Sequence, residues 1–250
     1  MSRVTFEILP WQHRALEYEN ELIPIVGGLG SGKSWLCAEK YIRRIFRYPK
    51  SVFWIVVPTL KAAKAGTLVT FKAALDDHGI TWRENKTDLT IHVKTGPRYW
   101  TEVKTWPATE WQRLKSIEMS TIWADECQEW ENGEAAFEFL VGRRRLDPLA
   151  NHAYGAMMGT QLLMSANPPR LGKAHWLYTK LVKQKIADFV FYVTTYDNHI
   201  LLERDPTYLP RLQRTLSPEM FDIDVLGKWS DGVSGRVYYA FKEAMNVLEI

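Results

Sequence analysis

Residues 21–41, ELIPIVGGLGSGKSWLCAEKY, contain an apolar run, a glycine-rich segment and a helix-like pattern, in that order. Inside this stretch, residues 27–34 (GGLGSGKS) fit the phosphate-binding pattern G-x-x-x-x-G-K-[ST]. Glycines let successive backbone N–H groups surround anionic oxygens, and the start of the following helix adds its positive dipole. The apolar run predicts a buried strand before the loop, which is the context that the pattern requires. The sequence therefore predicts a nucleotide-binding site.

The individual loop residues have predictable roles. Lys33 is expected to reach the β- and γ-phosphates, and the Ser34 hydroxyl is expected to bind Mg²⁺. The other residues expected to contact the nucleotide are Gly28, Gly30, Ser31 and Gly32. A glycine-rich turn that fits the pattern by chance is the competing explanation, and the strand and helix on either side of the loop argue against it.

An acidic pair follows a second apolar segment. Residues 121–124 (TIWA) read as a strand, and Asp125 and Glu126 come directly after it. Hydrolysis of a nucleoside triphosphate needs a further Mg²⁺ contact and a group that orients or activates water. Asp125 is expected to hold Mg²⁺, and Glu126 is expected to act as the general base. An Asp-Glu pair that merely begins a surface loop is the alternative, and it agrees less well with the phosphate-binding loop upstream.

Apolar runs alternate with helix-like stretches up to residue 195, which is typical of an α/β protein with a mostly parallel sheet between helices. The predicted strands are 22–26, 52–57, 121–124, 161–166 and 189–195, and the predicted helical stretches are 34–47, 59–75, 135–141 and 173–184. Residues 88–106 alternate apolar and polar side chains around Thr95-Gly96-Pro97 and predict a β-hairpin. Two short helical stretches, 206–215 and 218–226, predict a small helical lid.

The composition is that of an ordinary globular protein, with 46% apolar and 24% charged residues among 250. A net charge of +3 permits contact with nucleic acid without arguing for it. Two cysteines, Cys37 and Cys127, are too few for a disulfide framework, which favours a reducing intracellular compartment. The polar N-terminus argues against a signal peptide, and no apolar run approaches the roughly 20 residues that span a bilayer.

Three further features narrow the class of nucleotide-binding protein. Residues 161–169 (QLLMSANPP) place Asn167 at the tip of a predicted strand, where its amide could contact the γ-phosphate or the attacking water. Gln12 lies upstream of the loop, where a side-chain amide could read N6 and N7 of adenine. The arginine-rich stretch 142–148 (GRRRLDP) lies between the acidic pair and the asparagine.

This ordered set of motifs resembles the ATPase domain of the large terminase subunit of tailed bacteriophages, the motor that packages DNA into procapsids. Residues 195–212 and 226–241 are similar to the lid of that family and to its connection into a nuclease domain. The resemblance implies a RecA-like P-loop NTPase fold of the ASCE type, with a small C-terminal helical lid, and it implies ATP and Mg²⁺ as cofactors. It also implies that Gln12 contacts adenine and that Asn167 couples hydrolysis to movement.

Two departures from that family concern the positive charge that completes the catalytic site. Many relatives carry an arginine where this chain has Leu29, and an arginine about ten residues before the acidic pair where it has Lys115. A lysine supplies a point charge and not a bidentate fork. Arg143, Arg144 and Arg145 are therefore alternative donors to a neighbouring subunit's site. A solvated or DNA-facing basic surface is an equally weighted interpretation of these arginines.

The resemblance also implies a domain organisation and a set of partners. Residues 1–195 would form the ATPase core, 196–229 the lid, and 230–250 the start of a connection to a nuclease domain, whose aspartates would lie beyond Ile250. The implied function is a Mg-dependent ATPase, without nuclease activity in this chain, that moves double-stranded DNA into a procapsid. The implied partners are the DNA, the portal protein and procapsid, the small terminase subunit and further copies of the chain in a ring. The place of action would be the host cytoplasm at the portal, with no membrane involved.

Two other functions remain open. A helicase-like ATPase would use the same loop and acidic pair, but it would need a second RecA-like domain that 250 residues do not provide. A nucleotide-dependent assembly module would hydrolyse slowly and mainly dock partners. In a DNA-packaging motor, the basic stretches 41–50 (YIRRIFRYPK) and 61–66 (KAAKAG) could contact DNA phosphates. Solvated helix faces are the alternative explanation of both stretches.

Overall fold

The computed structural model describes residues 7–115, 117–145 and 159–231, and it contains one eight-stranded sheet. The strands are β1 Leu22–Gly27, β2 Phe53–Val57, β3 Trp82–Asn85, β4 Thr90–Lys94, β5 Trp100–Pro107, β6 Thr121–Ala124, β7 Gln161–Ala166 and β8 Phe191–Val193. Their order across the sheet is β3-β4-β5-β2-β6-β7-β1-β8. The six strands from β5 to β8 are parallel, whereas β3 and β4 are antiparallel neighbours at one edge. The predicted mostly parallel α/β sheet is thus confirmed.

Helices cover both faces of the parallel part of the sheet. The first five are α1 Pro10–Glu17, α2 Lys33–Arg47, α3 Leu60–Ala65, α4 Thr67–Asp77 and α5 Gly133–Arg143, and three more follow β8, namely α6 His199–Arg204, α7 Tyr208–Thr215 and α8 Pro218–Asp224. All five residues of β2 are buried, because a strand covered on both faces needs apolar side chains on both. On one face Trp123 of β6 packs against Tyr41 and Phe71 of the helices α2 and α4.

The predicted hairpin over residues 88–106 forms as β4 and β5. Its second strand also pairs in parallel with β2, so the hairpin extends the main sheet.

Cys37 and Cys127 are both buried and free. Among the residues that the structure describes, no helix combines the length and the apolar character that crossing a membrane requires.

Several elements differ from those that the sequence predicts. The helical stretch 59–75 is interrupted at Gly66, whose φ of −134° and ψ of −80° are not helical, so α3 and α4 are separate. The stretch 173–184 is a succession of a short 3₁₀ turn, one α-helical turn and a π-helix, and not one regular helix. The His175 side chain accepts a hydrogen bond from the Leu177 N–H, which starts a new turn there. β3, with the sequence WREN, is too short and too polar to give an apolar strand pattern.

Candidate functional site

The glycine-rich loop connects β1 to α2 at the carboxyl edge of the sheet, as predicted. Gly30 and Gly32 have φ angles of +66° and +92°, a left-handed conformation that favours glycine. A Cβ atom at Gly30 would lie 2.7 Å from Leu201 Cδ2, and one at Gly32 would lie 2.7 Å from Gln12 Nε2. The left-handed backbone therefore favours glycine at both positions, and any larger residue would also displace the end of the Leu201 or Gln12 side chain.

Lys33 lies at the start of α2 with its ammonium group against the loop backbone. Its Nζ donates to the carbonyl oxygens of Gly27 and Gly28, at 2.9 and 2.7 Å, and lies 3.3 Å from Ser31 Oγ. Burial lowers the pKa of Lys33 to about 8, although the negative charge of Asp125 acts in the opposite direction. A buried cation whose contacts are mainly to neutral oxygens is stabilised by an anionic ligand such as a phosphate.

The carboxylate of Asp125 is fixed by two hydroxyl groups from other elements. Thr67 Oγ1, in the first turn of α4, donates to Oδ2 of Asp125 at 2.6 Å. Ser165 Oγ, near the end of β7, donates to the other oxygen, Oδ1. Trp130 Nε1 donates to the Asp125 backbone oxygen at 2.9 Å. Asp125 is 3% exposed, so these contacts set its orientation in a site that solvent barely reaches.

Glu126 differs from its neighbour in exposure. Its backbone is left-handed, with φ 47° and ψ 46°, which is uncommon for a residue other than glycine. The chain turns at this point, and it leaves Asp125 buried and Glu126 exposed. Burial of part of the side chain raises the pKa of the Glu126 carboxyl group, and the charge of Asp125 acts in the same direction. An elevated pKa beside a phosphate-binding loop is typical of a group that takes part in proton transfer.

One cavity of about 150 Å³ brings together the loop, the acidic pair and the asparagine. Its lining residues are Leu29, Gly30, Lys33, Ser34, Asp125, Glu126, Gln128, Ser165, Ala166 and Asn167. A larger cavity of about 500 Å³ lies beside Leu22, at the amino end of β1, between side chains of both charge signs. We place the candidate site in the smaller cavity, because the glycine-rich loop and the acidic pair converge only there among the described residues.

The structure adds residues that the sequence motifs do not reveal. The Asn167 backbone N–H donates to Oε1 of Gln128 at 3.1 Å, which ties the end of β7 to the segment after the acidic pair. Thr67 reaches Asp125 from 58 residues away. No local pattern marks Thr67 or Gln128, since both contacts depend on the tertiary fold.

Gln12 lies against the loop, but it is not among the residues that line the cavity. Its Oε1 accepts a hydrogen bond from the Leu9 N–H at 3.0 Å, and its Nε2 donates to the Gly32 carbonyl at 3.1 Å. A side-chain amide has two donor hydrogens and two acceptor lone pairs. These two contacts therefore leave one donor and one acceptor of the Gln12 amide for a ligand.

The segment after β8 contacts the loop directly. The Leu29 N–H donates to the Asp224 carbonyl at 2.6 Å, and Thr195 Oγ1 donates to the Leu29 carbonyl at 2.7 Å. Asn198 Nδ2 donates to the Gly30 carbonyl at 2.6 Å. A displacement of either segment would break these hydrogen bonds, so the loop and the helices α6 to α8 are mechanically connected.

The side chains predicted to supply a catalytic positive charge do not line the cavity. Lys115 is exposed at the end of the 3₁₀ helix Ala108–Leu114. The Arg143 guanidinium lies 5.2 Å from the centre of the Phe139 ring, and Arg145 lies 3.8 Å from a carboxylate oxygen of Glu118. None of the three is therefore in place to act on a ligand in the cavity of the same chain.

Arg144 differs from the two arginines beside it. Its guanidinium donates to the backbone carbonyl of Glu21 at 2.5 Å and to the Glu21 carboxylate at 2.9 Å. Its side chain is only 10% exposed. These contacts connect the end of α5 to the residue before β1, which is a structural role within one subunit.

We expect Thr67→Val to lower the free energy of unfolding by about 1–3 kcal/mol, because it leaves a buried oxygen of Asp125 without a donor. Urea denaturation followed by circular dichroism measures this change. Thr70→Val on the same helix is the matched control, since Thr70 is partly exposed. Equal stability of the two variants would show that the Thr67 hydroxyl does not support Asp125.

Comparisons with known proteins agree on one family. A family model described as phage terminase large subunit matches residues 19–228. A comparison with curated proteins found no match. The matched segment includes the glycine-rich loop, the acidic pair, Asn167 and the helices after β8.

Solved structures show the same fold. The large terminase of a thermophilic bacteriophage superposes with a TM-score of 0.74 at 16% identity, over 90% of this chain and 54% of that one. The complex of that terminase with ADP superposes with a TM-score of 0.73 at 17% identity, over 89% of this chain and 54% of that one. The ATPase domain of the Thermus phage P74-26 large terminase superposes with a TM-score of 0.61 at 15% identity, over 91% of this chain and 96% of that one. The likeness confirms the predicted RecA-like fold, and the present chain spans about half the length of the first of these terminases.

Proposed function

The chain belongs to the phage terminase large subunit family, and we propose that it hydrolyses ATP and uses the free energy to move double-stranded DNA into a procapsid. The observation that carries the proposal is the cavity in which Lys33, Ser34, Asp125, Glu126 and Asn167 meet. This cavity brings together a phosphate-binding loop, a carboxylate that can act as general base, and Asn167, which follows β7 and donates its backbone N–H to Gln128. These are the parts that an NTP-driven motor requires.

In the proposed mechanism, the loop N–H groups and Lys33 bind the phosphates of ATP. Lys33 exchanges its contacts with the Gly27 and Gly28 carbonyls for contacts with phosphate oxygens. Gln12 uses its remaining donor and acceptor on the edge of adenine, where N7 accepts and the N6 amino group donates. The large terminase of the thermophilic bacteriophage has been solved with ADP and with ATP-gamma-S, which supports nucleotide binding by this chain.

Glu126 accepts a proton from the attacking water. Asp125 would be a ligand of Mg²⁺. The Ser34 hydroxyl and the Asp125 carboxylate are oxygen ligands of the kind that Mg²⁺ prefers, and both line the cavity. Mg²⁺ would neutralise charge that develops on the phosphates.

We infer that residues 196–229 form a lid subdomain on a core made of residues 1–195. Thr195 and Asn198 donate hydrogen bonds to the loop and the Asp224 carbonyl accepts one from it, and these bonds would transmit a change in the nucleotide to these helices. Asn167, through its contact with Gln128, would transmit the same change to β7. Of the expected connection at 230–250, residues 232–250 lie outside the described part of the chain.

We propose that a basic residue of a neighbouring copy completes the site. Lys115, Arg143 and Arg145 are the candidates, since they lie away from the cavity of their own subunit. If one of them acts in trans, subunits that lack it should regain activity when mixed with Glu126→Gln subunits. Mixtures that remain inactive for all three candidates would contradict a ring of this kind.

The partners proposed are double-stranded DNA, the portal protein and procapsid, the small terminase subunit and other copies of this chain, in the host cytoplasm. The test is a packaging reaction with procapsids, portal and small subunit, in which ATP should protect duplex DNA from an added nuclease. Strand separation on a forked duplex, without protection, would instead support a helicase-like ATPase.

A further inference from the structure

One face of the antiparallel edge of the sheet is open to solvent. Side chains along β3 and β5 alternate between more and less exposed positions. The less exposed side belongs to the core that α4 shares, through Ile91, Val93 and Val103. The other side faces away from that core, and Arg83, Lys94, Trp100 and Glu102 are exposed there.

The open face is basic. The strand register places Arg83 opposite His92, and Lys94 opposite Trp100. A shallow cavity of about 240 Å³ continues the face from Trp100 towards Lys50 and Lys104. We name this region the β3–β5 surface, and we include in it the exposed turn between β4 and β5. Its charged side chains are Lys50, Arg83, Lys94, Lys104 and Glu102 on the strands and the cavity, and Arg98 in the turn.

Aromatic rings hold two of these cations in place. The Arg83 guanidinium lies 4.7 Å from the centre of the Trp100 ring, and Lys50 Nζ lies 5.3 Å from the centre of the Tyr99 ring. A ring face attracts a cation without neutralising its charge, whereas a carboxylate would neutralise it. The Trp100 ring therefore positions the Arg83 guanidinium and leaves its charge available to an anionic partner.

Carboxylates compensate little of the charge on this surface. Glu102 lies 3.8 Å from Lys104. In the part of the chain that the structure describes, Arg83, Lys94 and Arg98 form no ion pair within 4.0 Å.

The basic stretch 41–50, which the sequence also offers as a DNA contact, is different. Arg43 pairs with Glu17, and Arg44 is buried and pairs with Glu19. Of that stretch, Lys50 is the residue that contributes to the β3–β5 surface.

We propose that the β3–β5 surface binds the phosphate backbone of double-stranded DNA. The inference rests on the proposed function, since a motor that moves a duplex must contact it. Contacts from lysine and arginine to phosphates give binding that is independent of sequence and sensitive to salt, as a translocating motor requires. The positive charges of Arg83, Lys94 and Arg98 complement the negative charge of a duplex backbone.

Two features favour duplex DNA over other anionic partners. The rings of Trp100 and Tyr99 are occupied by Arg83 and Lys50, which makes them poor platforms for stacking unpaired bases. Protein interfaces have an apolar core that excludes charge, whereas charged side chains are spread across this face. A duplex backbone is the partner that needs neither stacking nor an apolar centre.

The experiment compares two double variants in equilibrium binding to a short fluorescent duplex at several salt concentrations. Lys94→Glu/Arg98→Glu reverses two charges on the β3–β5 surface. Lys183→Glu/Arg214→Glu reverses two exposed charges that lie outside this surface. We expect the first variant to bind the duplex at least about tenfold more weakly than the parent chain. Its plot of log binding constant against log salt concentration should have a slope smaller by about 1 for each phosphate that it no longer binds. The second variant should bind within about twofold of the parent chain.

The outcomes separate this surface from the proposed function. Equal DNA affinity of the two variants would contradict DNA binding by the β3–β5 surface and would leave the proposed motor function standing. An unmodified chain that binds no duplex at low salt would contradict both. DNA affinity retained by Lys94→Glu/Arg98→Glu together with a failure to package would assign the surface to an acidic protein partner and overturn the proposal. ATP hydrolysis without DNA should be the same in all three proteins, which confirms that each is folded.

Discussion

Replacing Glu126 by glutamine should reduce ATP hydrolysis by a factor of about 10²–10⁴ and leave ATP binding nearly unchanged. An amide cannot accept the proton of the attacking water, but it has nearly the size of the carboxylate that it replaces. Glu126 lines the same cavity as Lys33 and Asn167, so it is within the site where the γ-phosphate would lie. Single-turnover hydrolysis and binding of a fluorescent ATP analogue measure the two effects separately.

The environment of Glu126 also determines how hydrolysis should depend on pH. Burial and the neighbouring charge of Asp125 raise the pKa of Glu126 above the ordinary glutamate value. A general base acts only when ionised, so activity is present above this raised pKa and is lost as the pH falls through it. The acidic limb in the pH profile of kcat should therefore lie at higher pH than that of an unperturbed glutamate, and Glu126→Gln should lack it.

Glu129→Gln is the matched control for this experiment. Glu129 ends the 3₁₀ turn Cys127–Glu129, is exposed and does not line the cavity. The chemical change is the same, three residues along the chain. Turnover in Glu126→Gln that matches turnover in Glu129→Gln would show that Glu126 is not the base.

The sequence predicts the part of the site that depends on local patterns. The loop around Lys33 and the pair after β6 are contiguous in sequence, and the strand or helix beside each is apolar enough to be recognised. Parallel strands then bring their carboxyl ends to one edge of the sheet, which is why Asp125 and Asn167 meet the loop. Motif and topology together therefore predict that the loop, the acidic pair and Asn167 lie near one another.

Contacts between distant segments are what the sequence does not reveal. Thr67 supports Asp125 only because the helical stretch 59–75 breaks at Gly66 and α4 begins beside β6. Three consecutive arginines look equivalent in sequence, yet Arg144 alone turns inward to Glu21. The ion pairing of an arginine in such a run depends on residues from other parts of the fold. The sequence alone does not identify those residues.

Replacing Lys33 by methionine should weaken ATP binding at least about 100-fold. Two hydrogen bonds to charged phosphate oxygens, at about 1.5 kcal/mol each, account for this factor. Methionine keeps the unbranched stem and removes the charge, so packing at the start of α2 is largely retained. Lys72→Met is the matched control, since Lys72 pairs with Glu84 on β3 and does not line the cavity.

The pKa of Lys33 makes a further test possible. In the empty site this pKa is about 8, because the ammonium group is buried. Phosphate oxygens next to Nζ would raise it, so ATP binding should take up protons, increasingly as the pH rises through about 8. Affinity should fall in the same pH range, because the empty site then holds a neutral amine that must be protonated on binding.

Isothermal titration calorimetry at pH 8, in two buffers with different ionisation enthalpies, measures the proton uptake directly. An empty-site pKa of about 8 corresponds to roughly half a proton taken up per ATP at that pH. Lys72→Met should show the same uptake as the unmodified chain. An uptake of zero at pH 8 in both proteins would mean that Lys33 is already fully charged in the empty site, and therefore that the burial of its ammonium group does not control nucleotide affinity.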